Sequence, residues 1–391
     1  MNLVEVHIVQ AVPPANLNRD DTGSPKDTVF GGVRRARISS QAQKRAVRLY
    51  FRQCDLLSSD HLAVRTRLLI EQELLPRFPD RPPDQVRDVA RALLAALGLG
   101  TTQELRTEYL LFVGRKEINA LAQAMRDNWD VLQKAISALQ EKGKEDVVKK
   151  VQDRLPATLK KDLEHLFDGG KAVDLALFGR MLADRPEWQV EAACQVAHAI
   201  STNRVDREFD YYTAVDDLLP REQTGAGMVG DIEYYTATFY RYANVDLDIL
   251  LRNLQGDSDL AARAVEAFLR AFILILPSGK QNTFAAHTLP AFVGLLARGK
   301  AAPHNLAAAF ERPVRPQDAK SISGLSVEAL LSYWKALDVA YGKTEWECVA
   351  ILNLTDADVQ YHREHLKGTL DEAIREVMKG ARALLRAQTG A

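Results

Sequence analysis

"FGGVRRARISSQAQKRAVR", residues 30–48, carries six Arg or Lys and no acid. Its order reads as a short strand over Arg34–Ile38 running into a helix from about Gln41. Ser39 and Ser40 offer N-caps, and Gln43, three residues past Ser40, completes a capping-box pattern. Val47, Tyr50, Phe51 and Cys54 then share one face at the spacing of a buried stripe, while Lys44, Arg48 and Arg52 recur every four residues on another. Widened to residues 28–54, the window holds seven of the 51 basic residues and none of the 52 acids, which leaves 44 bases against 52 acids elsewhere. With a net charge of −1 the chain as a whole is not basic, so its positive charge is local.

Outward from this stretch, residues 3–12 alternate like a strand, and "PPANLNRDDTGSPKD" (13–27) has no hydrophobic period and reads as a candidate functional loop. Residues 56–165 have helical periodicity throughout and read as an all-helical insertion. Strand-like text returns at "VDLALFGRM" (173–181) and "VEAACQVAHAIST" (190–202). Eight of the 24 Phe and Tyr residues lie between 209 and 242. There "REFDYYTAV" (207–215) and "DIEYYTATFYRYANVDL" (231–247) read as paired strands joined by the Gly- and Pro-containing 216–230. A helix near 258–276, the loop "PSGKQN" (277–282), a strand at 289–297, a helix at 326–341, a strand in "CVAILNL" (348–354) and a last helix from about 367 complete the chain. Strands and helices interleaved in this way give an α+β fold with a helical insertion.

A length of 391 residues, with 47% hydrophobic and 26% charged, suits two or three domains with cores of their own. The amino terminus lacks a signal-peptide pattern, and the apolar run "AFILIL" (271–276) is far too short to span a bilayer, so a soluble, cytoplasmic protein is expected. Three separated cysteines, Cys54, Cys194 and Cys348, suggest neither disulfides nor a zinc site.

Arginine forks, serine hydroxyls and a helix amino end together are suited to phosphate oxygens. A solvated basic face is the competing account, weakened by the absence of a compensating acid. Gly31-Gly32 either lets a ligand approach the backbone or makes a bend. Nucleotide cofactors are not indicated: Gly279-Lys280 precedes Gln281, Gly299-Lys300 precedes Ala301, neither completes a P-loop, and no GxGxxG follows a strand. A nucleic-acid backbone fits better, with Tyr211, Tyr212, Tyr234 and Tyr235 as candidates to meet bases, although aromatics on a half-buried hairpin more often fill a core. The acid pairs Asp20-Asp21 and Asp216-Asp217 do not make a metal site alone, and His7 and His198 read as core or surface residues rather than catalysts. No enzyme, metal or cofactor is expected.

The run "LNRDDTGSPKDTVFGGVRRARISSQAQKRAVR" (17–48), with "TAVDDL" (213–218), "FYRYANVDL" (239–247) and "GKQNTFAA" (279–286), resembles the CasC family, the backbone subunit of the type I-E CRISPR complex Cascade. The resemblance implies an RRM-like (ferredoxin-like) palm at 1–55, 166–204 and 233–391, helical fingers at 56–165 and an extended thumb at 205–232. It implies copies that polymerise along the spacer of a CRISPR RNA, join other Cascade subunits and present the guide to target DNA. By matching position, Arg19, Lys26, Ser39, Ser40, Gln41, Lys44, Arg45 and Arg48 would contact the RNA backbone, with Lys280 and Gln281 beside them. Tyr212, Thr213, Val215 and Met181 would surround a displaced base. The lysines of "EKGKEDVVKK" (141–150) are interleaved with acids and read as a solvated face rather than a DNA contact.

Two rival functions remain open at this level. A metal-independent RNA-processing endoribonuclease on a ferredoxin-like fold would need a His or Tyr acid-base pair beside the basic stretch, and His7 is the histidine nearest to it. A protein scaffold would aim the arginines at acidic partners.

Overall fold

The computed structural model describes the chain apart from residues 54, 137–150, 152–155, 157–162, 164, 183–184, 215–227, 343–345 and 390–391. Cys54, Val215, Asp216, Asp217 and the lysines of 141–150 therefore lie outside the described residues. The chain divides into two units: Met1–Leu56 with Cys194–Asp248 and Ser258–Ala391, and Leu57–Ala193 with Ile249–Asp257.

The strands in chain order are β1 (Leu3–Ala15), β2 (Asp27–Phe30), β3 (Val33–Ile38), β4 (Ala63–Thr66), β5 (Leu111–Gly114), β6 (Cys194–Val196), β7 (Ala199–Ser201), β8 (Glu208–Ala214), β9 (Met228–Asp246), β10 (Phe292–Arg298) and β11 (Trp346–Asn353). In the first unit nine of them form one sheet of order β11-β10-β1-β9-β7-β3-β2, with β6 and β8 also paired to β9. Every pairing between these strands is antiparallel. Helices complete an α+β unit.

β1 alternates in sequence, yet its first eight residues are all buried. The reason is that helices cover both faces. Ile8 lies opposite Arg241, whose guanidinium sits over the Phe272 ring of helix Ser258–Leu274. His7 lies opposite Tyr242 and beside Trp334 of helix Ile322–Tyr341. The polar positions of this second face satisfy one another: Glu5 accepts from Tyr242 Oη at 2.5 Å, Arg298 Nη1 at 2.5 Å and the His304 amide at 2.8 Å. Burial of polar groups is tolerable only with such partners.

The capped strand-to-helix reading holds with one change. Helix α1 (Ser40–Gln53) is capped by Ser39, whose Oγ accepts from the Ala42 amide at 3.2 Å. Gln43 does not reach back to close a box; its amide donates to the Ala197 carbonyl at 2.9 Å, which pins α1 to the sheet. Val47 and Phe51 are buried as the stripe requires, and Tyr50 is half-buried.

The second unit departs further from expectation. Its contacts run to Ala193 rather than to 165. It is not all-helical, because β4 and β5 pair as a small two-stranded sheet. "VDLALF", expected as strand, is the helix Val173–Phe178, ended by Gly179 at φ +78°. A short run that is apolar apart from Asp174 fits a buried helix as well as a buried strand, so periodicity could not separate them. At the centre of this unit Arg180 Nη1 meets Glu117 Oε2 at 2.9 Å, and the Gly114 and Gly169 amides donate to the same carboxylate, each at 2.7 Å.

Candidate nucleic-acid interface

The six cations of residues 30–48 divide into distinct roles. Arg35 is fully buried and donates to the carbonyls of Phe30, Ser201, Thr202, Phe310 and Glu311, at 2.7 to 3.4 Å. It fastens β3 to β7 and to the Phe310 segment, so it is part of the fold rather than of a ligand surface. Arg34 is 51% exposed and pairs with Asp27 at 2.8 Å; Arg207 joins the same carboxylate at 3.0 Å and Glu233 at 3.1 Å. The compensating acid missing from 28–54 is thus Asp27, one residue outside that window. Gly31 and Gly32, at φ +60° and +77°, form the two-residue turn of the β2–β3 hairpin. Gly31 approaches the Glu311 carbonyl too closely for any Cβ, so its role is internal packing and not ligand access.

The loop preceding β2 is docked on the start of α1. The Ser39 amide donates to Asn18 Oδ1 at 2.8 Å, the Lys26 amide to the Asn18 carbonyl at 2.8 Å and the Arg37 amide to the Lys26 carbonyl at 2.9 Å. Asp20 closes the loop internally by accepting from Thr22 and Ser24, which holds its carboxyl below the usual range. Arg19 thereby reaches a cleft of about 190 Å³ that Lys280, 261 residues later, also lines, together with Asp231 and the Glu233 that pairs with Arg207. Arg45 lines a second cleft of about 210 Å³ with Leu17, Leu49 and Gly279. The two clefts meet at the loop "PSGKQN", where Gly279 packs against the Asn16 and Leu17 carbonyls and leaves no space for a side chain.

Arg241 holds this arrangement from beneath. Its guanidinium donates to Gln43 Oε1 at 3.3 Å, Gln10 Oε1 at 2.8 Å, the Phe272 carbonyl at 2.5 Å and the Ile275 carbonyl at 3.2 Å. Burial pulls it down to about 9. One buried side chain therefore joins α1, β1 and the segment leading into the 277–282 loop. Arg241 was not singled out from the sequence, although an arginine at an inward position between buried Tyr240 and Tyr242 was the available signal.

Among the described residues, no carboxylate lies within ion-pair distance of Arg19, Lys26, Arg45 or Lys280. Arg19 and Arg45 are exposed; Lys26 and Lys280 are half-buried. On α1, Gln41 is exposed while Ser40, Lys44 and Arg48 are half-buried. Lys44 acts on the thiol of Cys194, which burial pushes up to about 12. Gln281 donates to the Pro277 carbonyl at 3.4 Å, and its Oε1 is buried with no donor.

The tyrosines divide as well. Tyr235 is core, its hydroxyl bonded to the Lys26 and Arg37 carbonyls at 3.2 and 3.4 Å. Tyr234 is half-buried against Phe284. On β8, Phe209, Tyr211 and Tyr212 are exposed by 54%, 75% and 41%, with Thr213 exposed beside them. The Tyr212 ring lies over Gly230 of β9, its partner in register, where a Cβ would stand 2.6 Å from the ring. Met181, 85% exposed, belongs to the other unit. The histidine beside the basic stretch is His198, at 3.0 Å from Arg37; His7 lies in the buried Glu5 network.

A family model described as CT1975-like protein matches residues 4–378. The chain belongs to the CT1975-like protein family. A solved structure described as a CRISPR RNA-guided surveillance complex, pre-nicking, contains a chain 30% identical to this CT1975-like protein, with 99% of each chain covered and a TM-score of 0.78. A second, described as a CRISPR RNA-guided surveillance complex, is 26% identical over 99% of each chain, with a TM-score of 0.59. No curated protein matches the chain. Among the described residues, no helix of the CT1975-like chain is long and apolar enough to cross a membrane.

Proposed function

We propose that this protein is a non-enzymatic CRISPR RNA-binding backbone subunit of a Cascade-type complex, of type I-E, with an RRM-like palm, helical fingers and a thumb built on the β8–β9 hairpin. The observation that carries the reading is the meeting of Arg19, Arg45 and Lys280 around one glycine-dependent loop, with no carboxylate partner among the described residues. Cations that form no ion pair are available to a polyanion. The likeness to chains of RNA-guided surveillance complexes supports RNA as that polyanion.

In this reading phosphates of the spacer lie along α1 and the two clefts, contacted by Arg19, Lys26, Ser39, Ser40, Gln41, Lys44, Arg45, Arg48 and Lys280. Gln281, half-buried in the same loop, lies beside Lys280. Exposed Tyr212 and Thr213 of one copy meet a base of the strand held by the next. Bases between such points stay free to pair with target DNA, and the site is built for holding a strand rather than for cutting it.

The test is purification of the chain with a CRISPR RNA and a matched RNA lacking the spacer. Co-purification of spacer RNA in complexes of several copies is the expected result. Failure to retain RNA at low salt, or metal-independent cleavage of repeat RNA, would overturn the reading.

A further inference from the structure

We propose that Arg37 and His198, with Lys26 alongside, form one more contact for a phosphodiester of the bound strand, and that His198 takes up a proton from solvent when that phosphate arrives. The inference rests on the RNA-binding reading above. Neither Arg37 nor His198 belongs to the set carried over by resemblance.

The pair is set by register. β3 and β7 align Arg37 with Ile200 and Ile38 with Ala199, so one further step brings His198 opposite Ser39, on the face that Arg37 shares. There Arg37 Nη1 donates to His198 Nδ1 at 3.0 Å, while its Nε donates to the Asp27 carbonyl at 3.1 Å. A ring nitrogen that accepts from a guanidinium belongs to a neutral imidazole whose proton is on Nε2. A cation that elsewhere would hold a carboxylate is here held by a carbonyl and a neutral ring.

Among the described residues, the charges that act on His198 are positive. Arg37 comes from β3 and Lys26 from the segment bonded to it. The carboxylate of Asp27 is turned to Arg34 and Arg207. From α1 the contact to this turn is the Gln43 amide on the Ala197 carbonyl, and from β9 it is the Tyr242 carbonyl, accepting from the Ala197 amide; neither brings charge. Burial, Arg37 and Lys26 in that order lower the proton affinity of the ring. A phosphodiester reverses this balance: it draws the guanidinium donors to itself, Nη1 included, which frees Nδ1 to take the proton from solvent, it accepts from Nε2–H, and its charge favours the imidazolium. Linkage then requires tighter binding at lower pH.

The experiment uses the full chain, a fluorescent single-stranded oligoribonucleotide of mixed sequence, and constant ionic strength. Affinity is measured from about pH 8 to about pH 6, the range in which histidine titrates. The wild-type protein should gain at least about threefold, and His198→Asn should remove the gain. Arg37→Gln should weaken binding at both ends of the range. In ¹³C-histidine-labelled protein, the ring signal lost in His198→Asn should titrate at higher pH once RNA is added. If wild type and His198→Asn bind RNA with the same pH profile, the proposal fails while the RNA reading stands. If the chain binds no RNA at either pH, both fail. If a polyglutamate peptide shifts the His198 ring as far as RNA does, the site serves an acidic protein and the proposal fails.

Discussion

Gly31 turns its Cα toward the carbonyl oxygen of Glu311 at a distance that admits no Cβ, whereas its neighbour Gly32 faces open space. Both have positive φ. Gly32→Ala should therefore lose about 1 to 2 kcal/mol, the strain of a left-handed L-residue. Gly31→Ala carries that strain plus a backbone collision and should lose at least about 3 kcal/mol. Denaturant melts of the two variants, compared with wild type, check the order; equal losses would place the strain in the turn alone.

Arg35 and Arg45 predict opposite phenotypes. Removing Arg35 strands several buried carbonyls, so Arg35→Met should destabilise by about 3 kcal/mol or more. Arg45→Ala, on an exposed position, should change stability by no more than about 0.5 kcal/mol. It should instead weaken RNA binding to every sequence alike and reduce the slope of log affinity against log salt by about one. Calorimetry and a salt series separate the two.

Acid stability should report His7. Burial pushes its imidazole down to about 4, with Arg298 and His304 acting in the same direction and Glu5 against. The unfolded chain binds this proton below about pH 6.5, and the folded chain does not until about pH 4. Stability present above about 6.5 is thus lost as pH falls through that window, by about 1.4 kcal/mol per unit and roughly 3 kcal/mol in all. His7→Gln should flatten this segment of a stability-against-pH curve.

Tyr212 is braced by Gly230. Gly230→Val should push the ring off the hairpin without touching the phosphate contacts. RNA affinity should stay within about threefold, the scale of a surface change, while the fluorescence gain of an RNA carrying 2-aminopurine at displaced positions is lost.

What the sequence disclosed was local. Ser39 capping α1 and the β8–β9 pairing follow from short-range chemistry and a period of two, and both were legible. The division of labour between Arg35 and Arg37 was not. They have the same side chain on the same side of one strand, yet Arg35 is buried by a carbonyl 275 residues away and Arg37 meets a histidine 161 residues away. Likewise β1 reads as half-exposed because helices that arrive much later supply its second cover. The helix at Val173–Phe178 escaped for a different reason, since a hexamer whose one polar residue, Asp174, is itself buried has no solvent face to detect.

β9 is a single unbroken strand of 19 residues, close to 60 Å end to end. Its inner part is clamped in the middle of the sheet by β1, and its outer part pairs with β8. Mechanically it is a cantilever: a load applied at the exposed tyrosines of β8 passes through the β8–β9 pairing into the strand that carries Arg241. Pulling on a seated base would thus stress the floor beneath the cation-lined clefts, so grip and reach cannot be tuned independently.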